Sequence, residues 1–296
     1  MRTRQLIWAV VFASVIIPLG CFQRSNQISN QSQTVAVASQ SPSPTPTPSP
    51  TKSVQAQQIN KTWASRFSIR TVSINKNHEG SRGYEISVDC PLIIKARTRG
   101  TRRFNRWMLR KIRGYVAQFE SLERAAEIHD KRKRLPKVGI DESLEIGYVV
   151  YYSDNRLISL RLTHTVMALG QMHPIDYYET INYDLKKGHD LRAATVFRRG
   201  YLKAFSSYAR RELRNKYDLD DQWSSEMLER GTRPYRHNFK NWNIVPDGLL
   251  ISFEDYQVGP HAFGQPEMIV PFQQLKRVIH SDSVCALFTR EKSARN

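Results

Sequence analysis

Apolar residues follow three regimes along the chain. Residues 6–19 are almost wholly apolar, broken only by Ser14 and Pro18. This run is shorter than the roughly 17–25 residues a membrane-crossing helix needs, and matches the core of a signal peptide. Residues 22–60 lose all periodicity: they are mostly Ser, Gln, Asn, Thr, Pro, Ala and Val, with SPSPTPTPSP at 41–50. Alternating proline favours polyproline II and cannot pack a core. At about 3.1 Å per residue such a segment spans on the order of 100 Å. From Lys61 onward the apolar positions become periodic, and a chain of this size can bury a full core.

Within 61–296 the spacing predicts a sequence of elements. Residues 84–88 alternate as a strand, followed by a short apolar run at 91–94. Residues 101–130 predict a long helix, with Phe104, Trp107, Met108, Ile112, Tyr115, Val116, Phe119 and Leu122 on one face. Two strand patterns, 144–153 and 156–166, flank Asp154-Asn155, a hairpin signal. A strand follows at 177–185, a turn at Gly188, a connector at 191–197 and a second helix at 201–217. Residues 218–236 are polar and read as irregular or partly helical. A hairpin is expected at 242–245 and 249–253 around Pro246-Asp247-Gly248, then a strand at 268–271 and a closing helix at 272–279. Together these predict an α+β fold: a largely antiparallel sheet packed with two main helices, after a disordered N-terminal region.

The terminus and cysteines change the picture. Arg2 and Arg4 precede the apolar run, and Gly20-Cys21 ends it. This arrangement resembles a bacterial lipobox with Cys21 as the lipidated residue, although Pro18 stands where an aliphatic residue is usual. The other reading is a plain signal peptide cut near Ala36 or Ala38. The expected organisation is a signal peptide at 1–20 and a linker with the lipid-anchor cysteine at 21–60. A basic first half at 61–175 and a C-terminal half at 176–296 then pack as one unit. Cys90 and Cys285 remain; in an oxidising compartment the expectation is a disulfide stapling the domain ends, the other reading being two separate buried thiols.

The formal charge is +18, or +16 without Arg2 and Arg4. Residues 60–140 hold 20 Lys or Arg against 7 Asp or Glu. Lys95, Arg97, Arg99, Arg102, Arg103 and Arg106 straddle the expected helix start, where backbone N–H groups also favour anions. They form a candidate anion-binding face, with a second cluster at 131–134. The partner classes are anionic lipid, acidic wall polymer or protein, with the membrane reached through the lipid anchor. Export makes nucleic acid an unexpected partner.

Catalytic signals are sparse. The eight histidines are at least nine residues apart, so no helix-borne His-x-x-x-His metal site exists. No Gly-x-Ser-x-Gly elbow is present, and Glu254 and Asp255 would point to opposite faces of a strand. Neither a metal, a cofactor nor a catalytic set is expected. His164, His173 and His261 lie near expected strand ends, and His173, His261 and Tyr256 are the candidates for a cleft. Trp107, Trp223 and Trp242 are candidate groove aromatics, Trp107 fitting the core better.

Two segments carry a family resemblance. Residues 177–197 read YYETINYDLKKGHDLRAATVF, and 248–272 read GLLISFEDYQVGPHAFGQPEMIVPF. Both resemble the C-terminal domain of the anti-sigma factor RsiV, which also occurs outside the catalytic part of some peptidoglycan deacetylases. Residues 84–166 more weakly resemble the preceding segment there, and Leu169, Gln171 and Met172 depart from its pattern. The resemblance implies an extracytoplasmic binding or sensing module. The anti-sigma factor's domain binds lysozyme, but a chain this basic would repel that basic protein. The expectation is a non-enzymatic, exported, membrane-anchored envelope lipoprotein. Its alternatives are a peptidoglycan- or polysaccharide-acting hydrolase, or an inhibitor or sensor of a wall hydrolase.

Overall fold

A computed structural model describes residues 60–286 and 288, except 81, 134–137, 170 and 218–221. The expected signal peptide, Cys21, the linker up to residue 59 and Arg134 lie outside these described residues. The elements in chain order are β1 (Asn60–Ser65), β2 (Ile69–His78), β3 (Arg82–Ile93), α1 (Arg99–Lys133), β4 (Val138–Ser153), β5 (Leu157–Met167), β6 (Ile175–Asp184) and β7 (His189–Asp190). There follow α2 (Ala193–Val196), α3 (Tyr201–Lys216), α4 (Gln222–Gly231), β8 (Trp242–Val245), β9 (Gly248–Ser252), β10 (Glu267–Pro271) and α5 (Phe272–Leu275). The fold is α+β with two sheets. β1–β7 form a seven-stranded sheet ordered β2-β3-β4-β5-β6-β7, with β1 on β4, and β10-β9-β8 form a three-stranded one. The β1–β4 and β3–β4 pairs are parallel and the others antiparallel.

Helix α1 covers one face of the large sheet. Phe104, Met108, Ile112, Val116 and Phe119 recur at three- and four-residue spacing and are buried. They cover Ile86, Val88, Cys90 and Leu92 of β3, beside which Leu144 and Ile146 of β4 are buried opposite Ile86 and Val88; these are alternate residues of each strand. Each fully buried apolar side chain contributes about 1.5–3 kcal/mol. The helix departs from expectation near its end: Leu122 is exposed and Glu123 is buried, because the inward face continues four residues after Phe119. β1 and β2 were not expected from the sequence. β3 passes through Pro91, where its pairing with β4 has ended at Val88, so the missing N–H interrupts no ladder on that side.

The small sheet covers the opposite face of β4–β6. On β5, Leu160, Leu162 and His164 lie on the helix side, while Ser159 and Arg161 bond to residues of β8, β9 and β10. Ser159 Oγ donates to Asn182 Oδ1 (2.7 Å) and accepts from Asn243 Nδ2 (3.1 Å) and Ile244 N (2.9 Å). Asn182 Oδ1 also accepts from Ile244 N (3.1 Å), and Asn182 Nδ2 donates to Trp242 O (2.9 Å). Nearby, Arg161 donates to Ser252 Oγ at 2.9 Å and to the Glu267 carboxylate, and its guanidinium lies 3.9 Å from the Tyr178 ring centroid. α3 closes the far side, with Phe205, Ala209 and Leu213 in one apolar cluster with Ile251, Phe253, Met268 and Val270.

The first recurring segment builds structure. Asn182 joins the sheets, while Asp184 Oδ1 accepts from Lys187 N (2.7 Å) and its carbonyl from Gly188 N (2.7 Å). Gly188 has φ 77°, the left-handed turn conformation glycine supplies without a Cβ penalty. The boundary expected after residue 175 falls within β6, which pairs with β5 along its length.

The expected Cys90–Cys285 bridge is not formed. Both are free and buried; Cys285 belongs to the α3 cluster and Cys90 does not. Burial pushes both thiols up to about 12, so both stay protonated and inert.

Two outcomes are expected. Asn182→Ala strands the Trp242 C=O and the Ser159 hydroxyl donor, while Ile244 N–H keeps Ser159 Oγ, and lowers unfolding free energy by about 2–3 kcal/mol in urea titration. In a thiol titration of the native Cys21→Ser variant, neither Cys90 nor Cys285 reacts, whereas both react in denaturant; a bridged protein would show none in either.

Candidate functional site

The expected cationic face forms at the start of α1. Thr98 caps the helix, its Oγ1 accepting from Thr101 N at 3.1 Å. No acidic residue occupies the first turn. Arg99, Arg102 and Arg103 there meet the positive end of the helix dipole, an unfavourable arrangement. Lys95 precedes the helix in a left-handed conformation (φ 50°). Lys95, Arg97, Arg99, Arg102 and Arg106 are exposed.

The β6–β7 turn adds to this face. Gly100 lies so close to the Leu185 carbonyl that an added Cβ would sit 2.0 Å from its oxygen. Arg103 Nη1 donates to Lys187 O at 3.3 Å. This docking brings exposed Lys186 and Lys187 beside the helix start. The sequence showed both lysines in the DLKKG segment but not their adjacency to α1, which arises only from tertiary packing. Among the described residues none of these eight cations has an acidic partner. Elsewhere Lys76, Lys131, Arg210 and Arg214 all pair with glutamates.

The other candidates are placed differently. His261 Nδ1 lies 2.6 Å from Asp255 Oδ2, and its ring stacks on exposed Tyr256, which adopts φ 58°. His173 is exposed beside Met172, and among the described residues no ring contact or ion pair joins it to His261 or Tyr256. Of the three, Tyr256 and His261 are thus brought together. Trp242 is buried, Trp223 is exposed, and Trp107 packs on Tyr183 with ring centroids 5.0 Å apart.

His164 instead enters a buried cluster that sequence reasoning missed. It is 1% exposed and stacks on Tyr177 at 4.6 Å, with Tyr115 edge-on at 4.9 Å. Its Nε2 lies 3.6 Å from Glu179 Oε2, beyond hydrogen-bond distance. Lys111, a charged residue outside the apolar face read from the sequence, turns inward to Glu179 Oε1 at 2.6 Å, and Tyr115 donates to Glu179. Burial alone would raise the Glu179 pKa; His164, Lys111 and Tyr115 outweigh it and hold the carboxyl at about 2. A carboxylate this weakly basic is unsuited to proton abstraction near neutrality, and neither buried thiol is a nucleophile. Among the described residues no three His, Cys, Asp or Glu are placed to hold a metal ion.

Residues 194–273 match the model of a family described as "Protein of unknown function (DUF3298)". Over 140 residues, 46% of this chain, the sequence is 29% identical to the peptidoglycan-N-acetylmuramic acid deacetylase PdaC of Bacillus subtilis. That match spans 29% of the deacetylase's length. A crystal structure of a DUF3298 family member from Bacteroides fragilis superposes with a TM-score of 0.57 at 14% identity, covering 75% of this chain and 97% of that one. It carries the same fold. A DUF3298 protein from Pseudomonas aeruginosa has a TM-score of 0.49 at 14% identity, covering 72% and 94%.

The Glu179 cluster has a pH signature. Its carboxyl is held below its ordinary 4.5, so its stabilisation is present above that pH and is lost as pH falls toward about 2. In urea titrations, Glu179→Gln should be less stable than the parent chain at pH 7, and the difference should narrow from pH 5 down to pH 2.

Proposed function

We propose that this chain is an exported, membrane-tethered binding or sensing protein of the bacterial envelope. Its face at the start of α1 and the β6–β7 turn holds an anionic envelope partner. One observation carries the reading: eight cations converge without an acidic partner among the described residues, three of them (Arg99, Arg102 and Arg103) within the first two turns of a helix whose dipole disfavours positive charge. A merely solvated surface gains nothing from that arrangement, whereas an anion there meets the side chains and the dipole together. Support comes also from the match to a wall deacetylase and from the signal-like N-terminus. The low basicity of Glu179 and the inert thiols favour a binding role over the hydrolase alternative. The partner is anionic lipid or acidic wall polymer rather than nucleic acid, and the tether is the lipidated Cys21.

The test uses the full chain in co-sedimentation with anionic vesicles, neutral vesicles and isolated peptidoglycan, at low and high salt. Parent protein should pellet with an anionic partner and be released by salt. Replacing Lys95, Arg97, Arg99 and Arg106 by Gln should weaken retention about tenfold or more, since each charge near an anionic surface contributes about 1 kcal/mol. The same variant should unfold at equal or higher urea, because unfavourable charges leave the helix start. Retention unchanged in this variant would overturn the proposal.

A further inference from the structure

The flank of β6 borders a second site, apart from the cationic face. β7 pairs only with Tyr183 and Asp184, so toward its N-terminus this flank of β6 has no strand partner among the described residues. Beside it lies a cavity of about 280 Å³ lined by Thr180 and Asn182 of β6, Trp242 of β8 and Tyr201 of α3. Arg236 and Lys240 line it from the short 3-10 helix Arg236–Phe239 and the residue after it. The aromatic walls are fixed by packing: Phe197 stacks on Tyr201 at 5.1 Å and meets Trp242 edge-on at 5.1 Å.

The polar groups divide cleanly. Asn182 is fully engaged between the sheets, and Thr180 Oγ1 accepts from Trp242 N at 3.3 Å. The Lys240 ammonium lies 2.7 Å from Glu254. The Arg236 guanidinium and the Tyr201 hydroxyl have no hydrogen-bond or ion-pair partner among the described residues. Burial pushes the Tyr201 phenol up, with Arg236 near enough to draw it partly back, so the phenol keeps its proton. A guanidinium only donates, and the neighbouring phenol O–H is free to donate as well. Both open groups therefore present donors between apolar walls.

We infer that this cavity binds a small carboxylate. Its carboxyl would sit on Arg236 in the bidentate geometry that a guanidinium favours, with Tyr201 donating to it. The body of the ligand would lie against Trp242 and Tyr201. Ligand cavities usually span about 300–1,000 Å³, so a volume at the lower limit suits a single sugar acid or the carboxyl end of a dipeptide. The shared chemistry is a carboxylate on a small, partly apolar body.

Calorimetric titration of the full chain with glucuronate, alanylalanine and glucose tests this. One or both acids should bind and glucose should not; which acid binds identifies a glycan or a peptide source. Arg236→Gln should weaken binding about tenfold or more and Tyr201→Phe a few-fold, in line with hydrogen bonds to a charged group. Arg236 is exposed, so its replacement leaves the fold intact. The Lys95, Arg97, Arg99 and Arg106 variant should bind the acid as the parent does, which separates this site from the cationic face. Glucose binding as tightly as glucuronate, no binding of either acid at millimolar concentration, or an Arg236→Gln variant that binds unchanged would each overturn the inference.

Discussion

The two sheets are joined by hydrogen bonds directed across their faces, and the rest of the molecule depends on that joint. Sheets usually stack through apolar side chains alone. Here Ser159 uses its one donor and both acceptor positions at the centre of the interface. Asn182 receives a strand N–H and donates to a strand carbonyl of β8. Such bonds specify register: sliding β8 by one residue would bring a different set of backbone groups to Asn182 and leave buried polar atoms unpaired. With β8 fixed, β9 and β10 follow by pairing and α3 packs on their outer side. The cavity beside Trp242 exists only because this joint fixes β8 against β6.

Much of the fold was legible because its elements are marked locally. The α1 face showed in the three- and four-residue spacing of Phe104, Met108, Ile112 and Val116. The β4–β5 hairpin showed in Asp154-Asn155, and Asp154 Oδ1 indeed accepts from Arg156 N and Leu157 N. β8 and β9 showed in the Pro246-Asp247-Gly248 turn. What stayed hidden was set by distant partners. β1 and β2 have mixed polar composition and become strands through pairing with β4 and β3. Lys111 looked like surface because its partner, Glu179, is 68 positions away. The segment around Asn182 carried the family resemblance, and its polar residues form a joint and a turn.

The candidate site was legible in composition but not in shape. Six basic residues near one helix start are visible in a line of sequence; that a turn from β6 delivers two more is not. Conversely, His164, His173 and His261 shared proximity to expected strand ends, yet His164 is buried with Tyr177 and Tyr115 while His261 stacks on exposed Tyr256. Strand ends occur at both edges of a sheet, and only topology says which ends meet. The same topology separates two kinds of cation here. Arg161 and Lys111 are inward and paired, while those at the start of α1 have no acidic partner among the described residues.

The pairing of β1 has a mechanical consequence. β1 is the first described strand, runs parallel to the second half of β4, and ends in a clasp where Ser65 Oγ lies 2.7 Å from Ser153 Oγ and Arg66 N donates to the Ser153 hydroxyl at 3.0 Å. Tension arriving from residues before Asn60, directed along the strand, loads that ladder in shear. All its bonds must then yield together rather than open one after another from an end. A domain held by one terminus while gripping a surface experiences this kind of pull, and the strand that receives it first is paired to β4, which itself lies inside the strand order of the large sheet.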